Sequence, residues 1–180
     1  AKFDKTFPTL DCAACILTPK MVEVGNHPNI ELLTYSEVRD LRGKAGDFHV
    51  TIMKKPRYVD GKNCTACGLC AEACVQRERI PSEFDMGTGK RSAAYIPFPQ
   101  AVPQAYVIDP GNCLMVTRGK CGKEPKCQKA CTANAIDFSQ EEKTITARAS
   151  AIVVATGYDQ FDPELKPEYG YARYENVLSG

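Results

Sequence analysis

Neither sign of charge dominates this chain: 23 Lys and Arg face 22 Asp and Glu, for a formal net charge of +1. That balance gives no electrostatic footprint for nucleic acid or an anionic membrane surface. Long apolar runs are also missing. The longest, Ala151-Ile-Val-Val-Ala155, falls far short of the roughly 18–20 residues needed to span a bilayer. Ala1-Lys-Phe-Asp-Lys-Thr-Phe7 mixes charges with apolar residues and lacks the pattern of a secretory signal. There are two histidines: His27 precedes Pro28 and reads as a turn residue, and His49 lies in an alternating segment as a surface or edge position. No Ser–His–Asp, paired-carboxylate or HExxH constellation is visible, so bond-making chemistry does not reside in this chain. A GxGxxG turn is absent as well, and Gly87-Thr-Gly89-Lys90 is neither that turn nor a P-loop. The 180 residues suffice for one ordinary domain or two small ones.

What the chain does have is cysteine, ten in all. In a secreted protein this could mean a disulfide scaffold. The clustering argues otherwise, because cysteines two residues apart rarely satisfy disulfide geometry together. Cys64-Thr-Ala-Cys67-Gly-Leu-Cys70-Ala-Glu-Ala-Cys74 has the spacing of a bacterial-type [4Fe–4S] ferredoxin. Three thiolates on one tight loop reach three corners of a single cluster, and the fourth points toward a second cluster. Gly68 and the small residues between the cysteines let the backbone curl close and aim its N–H groups at sulfur. A zinc site would instead call for two separated CxxC pairs.

Cys113, Cys121, Cys127 and Cys131 form a second, looser set. Cys127-Gln-Lys-Ala-Cys131 keeps the final gap of the first run, and Ile108-Asp-Pro-Gly-Asn-Cys113 parallels Val59-Asp-Gly-Lys-Asn-Cys64. An internal duplication of strand, turn and cysteine loop follows. The crossed-ligand rule then assigns Cys64, Cys67, Cys70 and Cys131 to one cluster and Cys113, Cys121, Cys127 and Cys74 to the other. Two departures stand out. Val75 and Thr132 occupy the place after the fourth cysteine where proline is usual, and Cys121-Gly-Lys-Glu-Pro-Lys-Cys127 is a long loop. Neither removes a ligand; the rival reading leaves the second set as buried thiols.

Three stretches differ in character: 1–57, 58–140 and 141–180. In the first, a turn at His27-Pro28 leads to a strand near Ile30–Tyr35. Phe48-His-Val-Thr-Ile-Met53 is its hairpin partner, across a turn at Gly43 to Gly46. Between Cys74 and Cys113, Pro81, Pro97, Pro99 and Pro103 exclude central sheet and suggest an extended cover. In the third stretch, Lys143-Thr-Ile-Thr-Ala-Arg148 alternates. A buried strand is then expected over Ala151–Ala155, ending at a Thr156-Gly157 turn where backbone can approach a ligand.

Longer segments carry a resemblance. Asp11-Cys-Ala-Ala-Cys-Ile-Leu-Thr-Pro-Lys-Met21, His27 to Val38, Lys55-Pro-Arg-Tyr-Val-Asp60, Tyr95-Ile-Pro-Phe-Pro-Gln-Ala-Val-Pro103 and Ala155-Thr-Gly-Tyr-Asp159 resemble the A subunits of heterodisulfide reductases over nearly the whole chain. The resemblance implies an α+β fold. A two-[4Fe–4S] ferredoxin-like domain (58–140) would be inserted into part of a thioredoxin-reductase-like FAD/NAD(P)-binding α/β domain (1–57 and 141–180). It implies that Thr156 and Gly157 abut FAD. It also implies cytoplasmic complexes in which flavin-based electron bifurcation couples heterodisulfide reduction to ferredoxin reduction. The family's glycine-rich FAD turn lies outside this sequence, so a fragment or a split subunit is expected, one that by itself should hold FAD poorly. Cys12 and Cys15 could help ligate a third cluster completed from elsewhere, form a thioredoxin-like redox pair, or be inert. The expected function is electron transfer, as part of a multi-subunit oxidoreductase, between FAD and ferredoxin or partner subunits. The alternatives are a stand-alone soluble ferredoxin-like carrier and a structural zinc protein.

Overall fold

A computed structural model of the chain describes residues 5, 7–157 and 161–178. The architecture is a mixed α/β one. It opens with helix α1, Ala13–Asn26, whose N-cap Cys12 accepts a hydrogen bond from the Cys15 N–H. Pro19 lies inside the helix, and Ala13 is its only buried residue among those described. Residues 30–35 run irregularly into strand β1, Ser36–Lys44, which turns at Ala45-Gly46 into β2, Asp47–Lys54. The two pair antiparallel from Ser36↔Lys54 to Lys44↔Asp47. A hairpin with Phe48–Met53 in its second strand forms, but the strand expected near Ile30–Tyr35 does not: residues 30–35 lie outside it and β1 starts only at Ser36. Tyr35 sits at φ +57°, a left-handed backbone that no strand accommodates.

The chain then leaves the sheet. Short helix α2 (Leu69–Glu72) is followed by four two-residue strands, β3 (Ile80–Pro81), β4 (Lys90–Arg91), β5 (Ala94–Tyr95) and β6 (Val107–Ile108), and then by short helices α3 (Leu114–Arg118) and α4 (Lys126–Ala130). It returns as β7, Lys143–Ala149, which pairs with β2 from Lys54↔Lys143 to Phe48↔Ala149. The result is one three-stranded antiparallel sheet in the order β1-β2-β7. Its central strand points Met53 inward and leaves His49 exposed beside Asp47.

Two strand pairings organise residues 55–142, and each crosses between the repeated halves. Ahead of the first cysteine run, Val59 bridges Ile136, which follows the second run. Ahead of the second run, Ile108 pairs with Ala94, which follows the first. Flanking backbone bonds fix both: Asp60 N–H donates to Ala135 at 2.7 Å, and Asp109 N–H donates to Ala93 at 2.8 Å. The core gathers at this crossing and includes Val59, Ile80, Ala93, Ala94, Ile108, Ala135 and Ile136 together with Cys70, Cys113 and Cys127. Small alanines there let backbone segments close on each other. The proline-bearing connection is thus more than a cover. Pro81 does lie in a two-stranded pair outside the main sheet, but Ala93, Ala94 and Ala105 from this connection are among the most buried residues.

The expected buried strand over Ala151–Ala155 does not form. These residues are extended but unpaired and exposed, with Val153 at 90%. The reason lies in the register. β2 begins at Asp47, the last bond of the ladder's end is Gly46 N–H to the Ser150 carbonyl at 2.8 Å, and no described strand lies beyond to receive the next residues. Two 3₁₀ turns, Pro163–Leu165 and Pro167–Tyr169, follow. Among the described residues no helix is long and apolar enough to cross a membrane.

Candidate metal centre

The two repeated lead-ins build the same local turn. Asp60 accepts the Lys62 N–H and the Asn63 side-chain amide, both at 2.9 Å. Asp109 accepts the Gly111 N–H and the Asn112 side-chain amide, also both at 2.9 Å. In each half the backbone carbonyl of that aspartate then receives the N–H of the first cysteine, Cys64 at 3.0 Å and Cys113 at 2.9 Å. Asx turns of this kind use the short carboxylate to replace backbone partners that the bend would otherwise orphan. The Asp-x-x-Asn-Cys spelling is visible in the sequence, though not the part its aspartates play in presenting the cysteine loops.

The two halves differ in what surrounds that aspartate. Arg91, 10% exposed along its side chain, reaches Asp109 at 2.9 Å, pairs with Glu83, and lies 3.9 Å from the centre of the Tyr95 ring. Burial pushes the Asp109 carboxyl up, but the Asn112 and Arg91 hydrogen bonds outweigh it and hold the group below its ordinary range. Among the described residues no arginine takes the corresponding place beside Asp60, whose side chain bonds Asn63 and the Lys62 N–H instead.

Because each lead-in strand pairs with the tail of the other half, the cysteines regroup across the repeat. One pocket is lined by Cys64, Cys67, Cys70 and Cys131, with Gly68, Tyr106 and Ile136 among its other walls. A second is lined by Cys74, Cys113, Cys121 and Cys127, with Met115, Pro125 and Phe138. Helices α2 and α4, which carry Cys70 and Cys127, pack against each other between them. Gly68 caps α2 at φ +89°, and a side chain there would meet the Tyr106 hydroxyl at 3.3 Å. The left-handed backbone favours glycine here, and a Cβ would press on the Tyr106 hydroxyl.

None of the ten cysteines is in a disulfide. Burial first, then the neighbouring Cys64, pushes the Cys70 thiol up to about 12. Burial, then Cys74 and Cys113, does the same for Cys127. Cys121 is raised by burial and by Cys113 and Cys74. Thiols so disfavoured as anions become good ligands when a cation compensates their charge, since metal binding removes the proton outright. Backbone donors from elsewhere in the fold reach two of these sulfurs, Tyr106 N–H to Cys64 at 3.5 Å and Ala135 N–H to Cys131 at 3.3 Å, and within the helices the Ala71 and Gln128 N–H groups act on Cys70 and Cys127. Among the described residues no three His, Cys, Asp or Glu side chains converge to hold a single metal ion. The sulfurs stand around a volume rather than a point, and all-thiolate donor sets suit soft metals and iron–sulfur groups.

The other candidates lie elsewhere. Cys12 and Cys15 share the N-terminal turn of α1, where Cys15 N–H reaches the Cys12 sulfur at 3.3 Å, and neither lines either cysteine cavity. The Cys15 thiol is raised, chiefly by its hydrogen bond with Cys12. Thr156 and Gly157 are exposed on the extended chain after β7, with Gly157 at φ +88°. His27 ends α1, its Nδ1 accepting the Asn29 N–H.

Comparison with known proteins places these features in a lineage. No protein-family model matches the chain. The iron–sulfur A subunit of a CoB–CoM heterodisulfide reductase from Methanocaldococcus jannaschii is 51% identical over 179 residues, covering 99% of this chain and 26% of the relative. The A subunit of an H2:CoB–CoM heterodisulfide,ferredoxin reductase from Methanothermobacter marburgensis is 49% identical, again over 99% of this chain and 26% of the relative. The A subunit of a ferredoxin:CoB–CoM heterodisulfide reductase from Methanosarcina mazei is 45% identical over 99% of this chain and 21% of the relative. The chain thus spans about a quarter of the length of the curated relatives it matches. Over nearly all of its own length, it is homologous to a segment of the iron–sulfur A subunits of heterodisulfide reductases.

Proposed function

We propose that residues 58–140 are a two-cluster ferredoxin-like unit, inserted into a flavoprotein domain represented here by 1–57 and 141–180. In this reading Cys64, Cys67, Cys70 and Cys131 hold one [4Fe–4S] cluster, and Cys113, Cys121, Cys127 and Cys74 hold the other. The carrying observation is the regrouping of eight cysteines into two four-cysteine pockets. Bound there, the clusters supply one-electron transfer. The chain's own part is to fix the thiolates, wall them with apolar side chains such as Ile136 and Phe138, and offer N–H donors to sulfur.

The segment relays electrons between FAD, held with the rest of a heterodisulfide-reductase-type subunit, and ferredoxin or partner subunits. It does so in the cytoplasm and in the service of flavin-based bifurcation. Thr156 and Gly157 face the flavin side, and Cys12 and Cys15 contribute to a third cluster completed by ligands from elsewhere. The names of the relatives support the oxidoreductase setting. The exposed apolar residues Val153 and Val154 support a chain that packs against further protein rather than a solitary carrier. Iron and acid-labile sulfide after anaerobic reconstitution decide the first point. Two clusters give about eight of each per chain, whereas a dead second set gives about four, and zinc in place of iron overturns the proposal.

A further inference from the structure

Resting on the two-cluster reading, we infer that the two sites are electrically unequal: the site of Cys64, Cys67, Cys70 and Cys131 takes an electron at higher potential than the site of Cys74, Cys113, Cys121 and Cys127. Reduction adds negative charge, so whatever stabilises charge at sulfur raises the potential, hydrogen bonds and solvent exposure above all.

Three observations point the same way. Two N–H donors from outside the cysteine-bearing helices serve the first site: Tyr106 to Cys64 at 3.5 Å and Ala135 to Cys131 at 3.3 Å. In the second set the Gln128 N–H acts on Cys127, as the Ala71 N–H does on Cys70 in the first, so these two offset each other; Cys113 accepts none at its helix cap. Exposure is the second difference. Cys67 is solvent-exposed, while the second set has two buried members, Cys113 and Cys127, and none exposed. The third is charge. Among the described residues a cation interacts with a thiol at each site, Arg57 with Cys64 and Lys126 with Cys121. Arg57 is partly buried whereas Lys126 is exposed, so water and salt screen the second cation more than the first. The aspartates of the lead-in turns do not reverse this order. Asp60 stands before the first site, but it is hydrogen-bonded to Asn63 and partly open to solvent. Asp109 before the second is neutralised by Arg91.

Electrons therefore settle on the site that carries the exposed Cys67, and that face is the exit toward an external acceptor. Two modest hydrogen bonds that strengthen on a charged acceptor correspond to about a tenfold preference, or about 59 mV for one electron. The test is an EPR-monitored redox titration of the cluster-loaded chain, alone and as Cys67→Ser. Two midpoints are expected, with the upper one shifted or lost in Cys67→Ser and the lower one kept. Coincident midpoints, or a variant that alters the lower one, overturn the inference while leaving two clusters in place. Iron and sulfide near four per chain instead overturn the two-cluster reading, and the inference with it.

Discussion

Replacing Arg91 with methionine isolates the pair that distinguishes the second cysteine loop from the first. Arg91 and Asp109 are 10% and 13% exposed along their side chains and lie 2.9 Å apart. The companion Glu83 is 70% exposed, so its share is small, of order 0–1 kcal/mol. Removing one partner of a buried pair costs about 3–5 kcal/mol, because the remaining charge is stranded. Here Asp109 keeps the Gly111 and Asn112 donors, and methionine keeps some of the packing on Tyr95, so the low end applies: about 3 kcal/mol. For a chain of this size that is a fall of about 6–12 °C in Tm. Thermal unfolding of the cluster-loaded protein, followed by far-UV circular dichroism, measures it. The cycle with Asp109→Asn is the sharper assay. Coupled partners give a double variant that loses about 2 kcal/mol less than the sum of the singles. Additivity within about 0.5 kcal/mol would refute the reasoning, and so would a Tm for Arg91→Met equal to the parent's.

Three further outcomes follow from the same geometry. Asp109 titrates below its ordinary 3.8 in the folded chain; its contribution is therefore complete above 3.8 and lost as pH falls through the lower folded value, and in Arg91→Met acid unfolding should start at higher pH. Gly68→Ala puts a side chain at φ +89° against the Tyr106 hydroxyl and should cost about 1–2 kcal/mol, seen as a lower Tm and reduced iron content; unchanged values would refute the packing argument. In metal-stripped protein at pH 8, iodoacetamide should label the exposed Cys67 well before Cys70 and Cys127, whose thiols burial pushes up to about 12; peptide mass spectrometry over a time course would expose the reverse order.

Local chemistry is readable where periodicity or spacing carries it. The second hairpin strand follows from the alternation of Phe48–Met53, though its partner is Ser36–Lys44 rather than the stretch near Ile30–Tyr35, and the alternation of Lys143–Arg148 gives β7. The repeated Asp-x-x-Asn-Cys spelling reappears as a repeated Asx turn. Helix α1 has no such signal, since Pro19 argues against it and its apolar residues show no clean face: Ile16, Leu17, Val22 and Val24 are all partly exposed. Strand β5 is hidden because two residues have no period, and its place depends on Ile108, far along the chain. The strand expected over Ala151–Ala155 fails for a related reason. β-branched residues favour extended backbone, but burial needs a neighbour, and the ladder runs out at Ser150. Arg91 carries no local signal at all, because its meaning comes from a tertiary contact with Asp109.

Lys54 and Lys143 mark the doorway of the chain's long excursion, and they face each other across one rung of the ladder. A traveller who departs and comes home through the same gate leaves the house undisturbed. The entropic toll for closing so wide a loop rises only with the logarithm of its length, so the segment between can grow or shrink without the sheet registering it. Joined by a short turn across that rung, the hairpin and its third strand would still find one another.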